Sequence, residues 1–260
     1  MTAIDRPPRI AVLVSEGRHP VSGVPRWSRN DARALGLAYS VAASRADVRV
    51  LHAGRESAAM LDYLALGVTN LQIVPAAGNA DVADVLADHV RDADLVLCGL
   101  RAEGGEDSGM VPYLLAERLA VPLLPGALGL ALDRGHAVIE QFLPKGRRRR
   151  IEAALPCIVS VHPMAPLNLK YAYADMLSGR ISELPPGPGS AAPGDSPWTV
   201  SPIDARPVRL AAREKRSGHA RMLSATTTES RAGVVVDQGS AQEKAAAVIT
   251  YLRKHGLIDY

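Results

Sequence analysis

The first half of the chain alternates short apolar runs with longer stretches whose apolar residues recur at helical spacing. The runs are rich in Val, Leu and Ile and cover residues 10–14, 48–51, 71–74 and 95–98. The helical stretches are rich in Ala and Leu and cover residues 30–44, 57–66, 80–90 and 108–119. Strands that are apolar along their whole length are buried on both faces, so helices must cover both sides of the sheet. The pattern predicts an α/β fold with a three-layer, doubly wound, mostly parallel sheet.

The pattern changes after Leu123. Residues 136–143 and 149–161 have the composition of two longer strands, and the turn residues Pro144, Lys145 and Gly146 lie between them. These segments predict an antiparallel hairpin attached to the parallel sheet.

The last third of the chain differs in composition from the rest. Seven of the 19 prolines fall within residues 184–207, and such a segment favours an extended arm over a helix or a strand. A helix with one apolar face is predicted over residues 241–255. Because an isolated helix of this length is marginal in water, we expect it to dock on its own domain or on another chain. We therefore predict a domain of residues 1–183 and an arm of residues 184–260.

Composition excludes several classes of protein. Hydrophobic residues make up 47% of the chain and charged residues 22%, which excludes a disordered chain. The sequence has neither an apolar run long enough to span a membrane nor the apolar stretch of a signal peptide, so we expect a cytoplasmic protein that is not embedded in a membrane. Cys98 and Cys157 lie in apolar runs without the spacing of metal ligands, which predicts buried thiols and no metal site.

The positive charge is small and local. The net charge is +3, and the excess comes largely from residues 147–150 and 206–221. Nucleic-acid modules interleave basic residues with aromatic ones for stacking, whereas Phe142 is the only Phe here. A nucleic-acid partner is therefore not expected. Residues 147–150 lie at the tip of the predicted hairpin, where they form either a solvated edge that opposes strand association or a contact for an acidic partner.

The loop after the fourth predicted strand is the most informative stretch for function. Ligands of open parallel sheets bind beyond the carboxyl ends of the strands. Glycines at 99, 104, 105 and 109 allow a ligand close to the backbone, and Ser108 precedes a helix whose N–H groups favour a phosphate. The loop predicts a nucleotide site, although a plain glycine-rich connection that caps a helix explains it equally well. Its three carboxylates (Glu103, Glu106 and Asp107) oppose an anion unless they point outward.

Groups for catalysis are scarce in the sequence. The seven histidines show no metal-ligand spacing, and no nucleophile has an evident base near it in the sequence. The loop of residues 99–109 matches neither the P-loop nor the dinucleotide fingerprint. We therefore predict a binding or carrier protein and not an enzyme.

Several segments, taken in order and spacing, resemble the β subunit of electron transfer flavoproteins over most of residues 9–183. Asn30 opens the first helix, as an asparagine does in that family, and Ser108 and Gly109 occupy the family's Thr/Val-Gly position. Lys170, Tyr171 and Ala172 are in register with the family's recognition loop. The other matching segments are residues 9–14, 64–68, 94–102 and 155–160.

The resemblance implies a Rossmann-like, adenine nucleotide alpha hydrolase-like fold and a partner α subunit that carries most of the FAD contacts. The heterodimer would move electrons from a flavin dehydrogenase towards a membrane quinone reductase, and the arm would reach around the α subunit. The β chain would hold AMP, or a second FAD. The residues implied for AMP are Leu13, Asn30, Ala53, Gly99, Arg101, Ala102, Gly104, Gly105, Ser108 and Gly109. Those implied for partner recognition are Lys170, Tyr171, Ala172, Met176 and Arg180.

The sequence also departs from the family. The leucine that anchors a dehydrogenase in the family is either deleted here or replaced by Ala174, and the charge at the hairpin turn is inverted to basic. The alternative hypothesis is an adenine-nucleotide-binding protein, of the stress type or ATP-using, on the same sheet, and a third hypothesis is a degenerate scaffold with an empty pocket. An ATP-using relative should have a Ser, Thr or Lys that grips phosphate in the first or fourth loop, and residues 99–109 offer only Ser108 and Arg101.

Overall fold

The computed structural model describes residues 6–44, 47–77, 80–187, 217–219, 222 and 235–258. The chain divides into two compact units, Met1–Ser196 and Pro197–Tyr260. The predicted boundary at residue 183 stays a prediction, and most of the predicted arm, residues 188–216 included, lies outside the described residues.

The first unit is built on a nine-stranded sheet with a separate two-stranded sheet beside it. The order in the large sheet is β11-β5-β4-β1-β6-β10-β7-β8-β9, and β2 pairs with β3 in the small one. The strands are β1 (Ile10–Leu13), β2 (Glu16–Arg18), β3 (Pro25–Trp27), β4 (Val48–Ala53), β5 (Asn70–Val74), β6 (Leu95–Gly99), β7 (Leu123–Asp133), β8 (His136–Phe142), β9 (Arg148–Ala154), β10 (Cys157–Val161) and β11 (Arg180–Glu183).

Most neighbours in the large sheet are parallel, and only the β7–β8 and β8–β9 pairs are antiparallel. The predicted hairpin is the β8–β9 pair, with Lys145 and Gly146 at positive φ in its turn. The prediction of a mostly parallel sheet with an attached antiparallel hairpin is therefore confirmed.

Helices cover both faces of the sheet. The helices of the first unit are α1 (Arg29–Val41), α2 (Ala58–Ala65), α3 (Val82–Val90), α4 (Val111–Leu119) and α5 (Tyr173–Ser178). Leu35 of α1 and Tyr63 of α2 belong to one buried apolar cluster, whereas Val85 of α3 and Leu115 of α4 belong to a second. Two cores separated by a sheet make a three-layer sandwich, which confirms the predicted fold class.

The prediction of one long strand over residues 149–161 is wrong. Residues 148–154 form β9 at the edge of the sheet, and residues 157–161 form β10 between β6 and β7. Pro156 lies in the break between the two strands and has no N–H to donate to a ladder. Every residue of β10 is buried, whereas every residue of β9 is exposed or half-buried. The two halves of the segment therefore face different environments.

Besides β7, an eleven-residue strand that the sequence analysis did not predict, three short features have no counterpart in the predicted pattern. The β2–β3 hairpin and β11 have three or four residues per strand, and α5 has six residues. Elements this short produce too few periods of hydrophobic alternation to stand out in a sequence.

The second unit contains the helix α6 (Ala241–Lys254), which confirms the helix predicted over residues 241–255. Its N-terminus is a capping box, because the Ser240 hydroxyl accepts from the Glu243 N–H and the Glu243 carboxylate accepts from the Ser240 N–H. Where α6 docks stays a prediction.

Cys98 and Cys157 are both buried and form no disulfide. Burial raises the pKa of the Cys157 thiol to about 12. Among the described residues there is no group of three or more His, Cys, Asp or Glu side chains that could hold a metal ion. Over the same residues, no helix has the length and apolar character needed to cross a membrane.

Candidate functional site

The carboxyl ends of β1 and β6 form the crevice in which a sheet of this kind takes a ligand. The chain leaves β1 through α1 on one face and reaches β6 through α3 on the other face, so the strand order reverses between these two neighbours. Leu13, Ala53 and Gly99 are the last residues of β1, β4 and β6. The structure therefore brings three of the residues predicted for AMP to one edge of the sheet.

A buried carboxylate lies in this crevice. Asp31 is 4% exposed, and its Oδ2 accepts a hydrogen bond from the Ser15 N–H at 2.8 Å and from the Ser15 hydroxyl at 2.6 Å. Its Oδ1 accepts from the Gly99 N–H at 3.1 Å. One side chain thus joins the loop after β1 to the end of β6, and it uses the backbone donors on both sides of the crevice.

Two further side chains complete the polar network around this carboxylate. The Ser28 hydroxyl accepts from the Asp31 N–H at 3.3 Å and caps α1. The Tyr63 hydroxyl accepts from the Ser28 N–H at 2.9 Å and donates to the Ser15 carbonyl at 2.8 Å. We call Ser15, Ser28, Asp31, Tyr63 and Gly99 the switch-point network. It satisfies polar groups drawn from four separate elements.

Burial controls the electrostatics of the network. It raises the pKa of Asp31 to about 6, although hydrogen bonds from Ser15 and Gly99 favour the charged form and oppose the shift. Burial and the neighbouring Asp31 carboxylate also raise the pKa of Tyr63. At pH 7 Asp31 is therefore mainly a carboxylate, while Tyr63 keeps its proton and donates it to the Ser15 carbonyl.

Asn30 and His52 bind backbone groups next to the network. With its amide oriented to match its neighbours, the Asn30 nitrogen donates to the Val161 carbonyl at 3.1 Å and its oxygen accepts from the Leu100 N–H. The Nδ1 atom of His52 lies 3.0 Å from the Val14 carbonyl, and burial lowers the pKa of His52. Asn30 therefore holds the ends of β6 and β10 together.

The glycine-rich loop of residues 99–109 folds against the β2–β3 hairpin. The Gly104 N–H donates to the Glu16 carbonyl at 3.0 Å, and the Gly105 N–H donates to the Ala102 carbonyl at 3.2 Å. A Cβ at Gly104 would collide with the Glu16 backbone, so close approach between two chain segments requires this glycine. At least some of the loop's glycines therefore serve contacts within the chain and not contacts with a ligand.

Two of the three carboxylates of this loop are paired with arginines. The Glu103 carboxylate lies 3.0 Å from the Arg26 guanidinium, and Asp107 lies 3.5 Å from that of Arg101. Oε2 of Glu103 lies 3.0 Å from the position that a Cβ on Gly17 would occupy. Glu103 therefore faces the segment after β1 and does not point away from the crevice.

The helix after this loop begins later than the sequence predicts. Its first residue is Val111, and its N-cap is Met110, whose side chain has no oxygen to accept a hydrogen bond. The Ser108 hydroxyl accepts from the Met110 N–H at 3.4 Å. Arg101, Gly105 and Ser108 are exposed on the loop, whereas Ala102, Gly104 and Gly109 are partly buried. These six residues lie along the loop, whereas Leu13, Ala53 and Gly99 lie at strand ends and Asn30 lies in the first turn of α1.

Sequence reasoning missed Asp31, Ser15 and Tyr63. Asp31 lies in the first turn of α1, where an acidic residue has an ordinary role beside the helix dipole. Nothing in the local pattern indicates that its side chain reaches a glycine 68 positions away. The neighbouring Asn30 could be found because the family has an asparagine at that place.

A second candidate surface is the segment of residues 168–180, which we call the recognition segment. The Ala172 N–H donates to the Ala65 carbonyl at 2.8 Å, and the Tyr171 hydroxyl donates to the Asp62 carboxylate at 2.8 Å. Met176 is half-buried and packs against the core. These contacts fix the segment on α2.

Other side chains of the recognition segment face away from the core. Among the predicted residues, Lys170, Tyr171 and Arg180 are exposed, and Ala172 and Met176 are half-buried. Tyr173 is 64% and Leu177 is 69% exposed, although the sequence analysis selected neither. They lie four residues apart on α5 and so share one face of that helix. The segment therefore presents apolar and basic groups side by side.

The basic residues of the β8–β9 hairpin have partners within the chain. The Arg149 guanidinium donates to the Gln141 side-chain oxygen at 2.7 and 3.0 Å. Arg148 lies 3.0 Å from Glu140, and its guanidinium carbon is 5.5 Å from the centroid of the Phe142 ring. The hairpin thus uses part of its charge to hold its own strands, and both interpretations of residues 147–150 stay open.

Comparison with known proteins identifies the family that the chain resembles. A model described as "Electron transfer flavoprotein domain" matches residues 26–182. The chain is also similar to a protein of Chromohalobacter salexigens named "Electron transfer flavoprotein subunit beta". The two are 37% identical over 254 residues, which cover 94% of this chain and 93% of that protein.

Proposed function

The chain belongs to the electron transfer flavoprotein family, among its β subunits, and we propose that it pairs with an FAD-carrying α subunit to move electrons from flavin dehydrogenases to the respiratory chain. The observation that carries this proposal is similarity to a named β subunit along almost the whole chain, arm included. The complex would act in the cytoplasm and deliver electrons to a quinone reductase at the membrane.

In this proposal the partner holds most of the FAD contacts, and FAD supplies the redox chemistry. The work of this chain is to bind and orient. Its described residues offer a rigid sheet, a network that fixes the loops after β1 and β6, and an exposed recognition segment. Electron transfer requires a short distance between redox groups, so a subunit that positions a partner contributes to the rate without a catalytic group of its own.

The recognition segment is the surface that we assign to the donor dehydrogenase. Its backbone is held on α2 by the Ala172 and Tyr171 hydrogen bonds, so its exposed side chains are presented from a fixed base. Leu177 lies one turn after Ala174 on α5. We propose that Leu177 and Tyr173 supply the apolar contact and that Lys170 and Arg180 supply the charged one.

AMP within this chain is implied by the family resemblance, and its predicted contacts stay a prediction. A phosphate needs free backbone donors or cationic side chains. The N–H groups of Gly99, Leu100, Gly104 and Gly105 all donate within the chain. The same observation speaks against the alternative of an ATP-using protein, which would need these donors for a longer phosphate chain.

Co-expression of the full chain with its α subunit tests the main proposal. We expect a 1:1 complex on size-exclusion chromatography that contains bound FAD and accepts electrons from a flavin dehydrogenase. A chain that elutes alone after co-expression, or a complex without flavin, would contradict the proposal.

The role of the arm is tested by a chain that lacks residues 197–260. The shortened chain keeps β11 and Leu184, whose N–H donates to the Ile73 carbonyl. We expect it to fold and to lose binding of the α subunit, while a control shortened only by residues 259–260 binds normally. If the shortened chain binds the α subunit as tightly as the full chain does, residues 197–260 are not required for pairing.

A further inference from the structure

The place where a nucleotide phosphate would bind in this sheet is defined by its topology. Ligands of doubly wound sheets bind where the strand order reverses, which here is the crevice between β1 and β6. The donors that open into such a crevice are the backbone N–H groups at the ends of those strands. In this chain they include the N–H groups of Ser15 and Gly99.

Both donors are used by one carboxylate of the chain itself. Asp31 accepts from the Ser15 N–H and hydroxyl through Oδ2 and from the Gly99 N–H through Oδ1. A carboxylate held by two backbone N–H groups and a hydroxyl has the charge and the hydrogen-bonding pattern of a bound phosphate edge. The Asp31 side chain is thus an anion at the position where an anionic ligand is expected.

The chain is closely packed where Asp31 meets the end of β6. A Cβ at Gly99 would collide with the Asp31 carboxylate and would lie 2.9 Å from an atom of the Asn30 side-chain amide. Ser28 and Asp31 are both buried. Side chains from the start of α1 therefore occupy the space directly beside the Gly99 backbone.

The charges next to the crevice point in the same direction. The carboxylate of Glu103 faces the segment after β1, beside Gly17, and its partner is Arg26. An incoming phosphate would meet the carboxylates of Asp31 and Glu103, and the Arg26 guanidinium is already paired with Glu103. Like charges at this range repel, most strongly where water is excluded.

We propose that the Asp31 carboxylate replaces a nucleotide phosphate at the β1–β6 crevice, so that this β subunit folds and functions without a bound AMP. The built-in anion does the structural work of the ligand, because it ties the loop after β1 to the end of β6. The inference concerns a ligand of this chain alone and does not depend on the pairing proposed above.

The first test measures the nucleotide content of the wild-type protein. The full chain, alone and in complex with its α subunit, is purified without added nucleotide and denatured, and the released small molecules are separated by chromatography. We expect less than about 0.1 AMP per chain, since a ligand at this position would have to displace Asp31. Stoichiometric AMP would overturn the inference, whether or not the complex carries FAD.

The second test asks whether Asp31 is the cause. Full-length Asp31→Ala is titrated with AMP and with inorganic phosphate, and affinity is measured by calorimetry and by the rise in Tm. We expect Asp31→Ala to bind AMP at least about tenfold more tightly than wild type, because it exposes the Ser15 and Gly99 donors. Asp88→Ala is the matched control, since Asp88 is an exposed carboxylate on α3 paired with Arg91.

The outcomes separate the inference from its rivals. AMP binding by Asp31→Ala that is no tighter than that of wild type would overturn the proposal that Asp31 fills the phosphate position. If Asp31→Ala does not fold, Asp31→Ser, which returns one hydroxyl oxygen to the donors, is measured in the same way. If the wild-type chain contains no AMP but fails to pair with the α subunit, the result counts against the proposed function and not against this inference.

Discussion

The β1–β6 crevice and the recognition segment differ in how they treat their functional groups. In the crevice, the switch-point network satisfies every polar group that we have described with a partner from the same chain. On the recognition segment, Tyr173 is 64% and Leu177 is 69% exposed, and Lys170 and Arg180 are exposed as well. The contrast teaches that the place where the fold usually binds a ligand is closed here, and that the open chemistry is at the surface.

A physical reason connects the two regions. Both are fixed to the same layer of helices, because Tyr63 of α2 belongs to the network while Ala65 of α2 holds the recognition segment. A closed crevice keeps α1 and α2 in place without a ligand, and a fixed α2 keeps the exposed segment in a defined orientation. Preorganisation of this kind lowers the cost of binding a partner.

The pH dependence of stability gives the largest expected effect and tests the closed side of the comparison. The pKa of Asp31 is raised from its ordinary 3.8 to about 6 in the folded chain. A raised carboxyl pKa favours the folded state below the unfolded pKa, and that contribution is lost as the pH rises through about 6. The loss is about 3 kcal/mol of unfolding free energy.

The measurement compares wild type with Asp31→Asn by urea unfolding between about pH 4 and pH 7.5. Asparagine does not titrate, so the unfolding free energy of wild type should fall by about 2.4 kcal/mol relative to that of Asp31→Asn over this range. A difference that stays constant with pH would show that Asp31 is not a buried carboxyl with a raised pKa.

Tyr63→Phe tests whether the network is fully satisfied. The substitution keeps the ring and removes the hydroxyl that bridges the Ser28 N–H and the Ser15 carbonyl. Two buried backbone groups then lose a partner, and we expect a loss of about 2 kcal/mol in unfolding free energy. Tyr113→Phe, at an exposed tyrosine of α4, is the control and should change the free energy by less than about 0.5 kcal/mol. If the two variants lose the same unfolding free energy, the Tyr63 hydroxyl does not stabilise the switch-point network as described.

Leu177→Ala probes the open side. If the recognition segment contacts the donor, we expect Leu177→Ala to lower the kcat/KM for electron transfer from a flavin dehydrogenase to the complex about tenfold. This change corresponds to about 1.4 kcal/mol of activation free energy. Stability should not change measurably, because Leu177 is exposed. Met110→Ala removes an exposed apolar side chain before α4, on the opposite face of the sheet, and should leave the rate unchanged. A normal rate with Leu177→Ala would remove the segment from the proposed interface.

The basic hairpin gives the smallest expected effect. Arg148→Ala loses an exposed ion pair with Glu140 and a contact with the Phe142 ring. We expect a loss of about 0.5 kcal/mol in thermal or urea unfolding. Arg147→Ala, in the turn, serves as the control for a change of charge alone. A loss well above that of the control and near that of Tyr63→Phe would mean that the hairpin is structurally as important as the crevice.

The sequence by itself determined the class of the fold and the alternation of its main elements. Strands such as β1 and β6 are apolar throughout, and only a sheet covered on both faces buries them, so the three layers follow from local composition. Local composition also placed α6, because its cap and its apolar spacing lie within one short stretch.

Only the tertiary structure decided where β10 pairs and what fills the crevice. β10 could not be separated from β9 by composition, since its place between β6 and β7 depends on strands far away in the chain. Asp31 meets Gly99 across 68 positions, and a helix-start aspartate has the same local signature whether it faces water or a strand end. Hydrophobic periodicity is a local property, whereas strand order and the partner of a buried charge depend on contacts between distant segments.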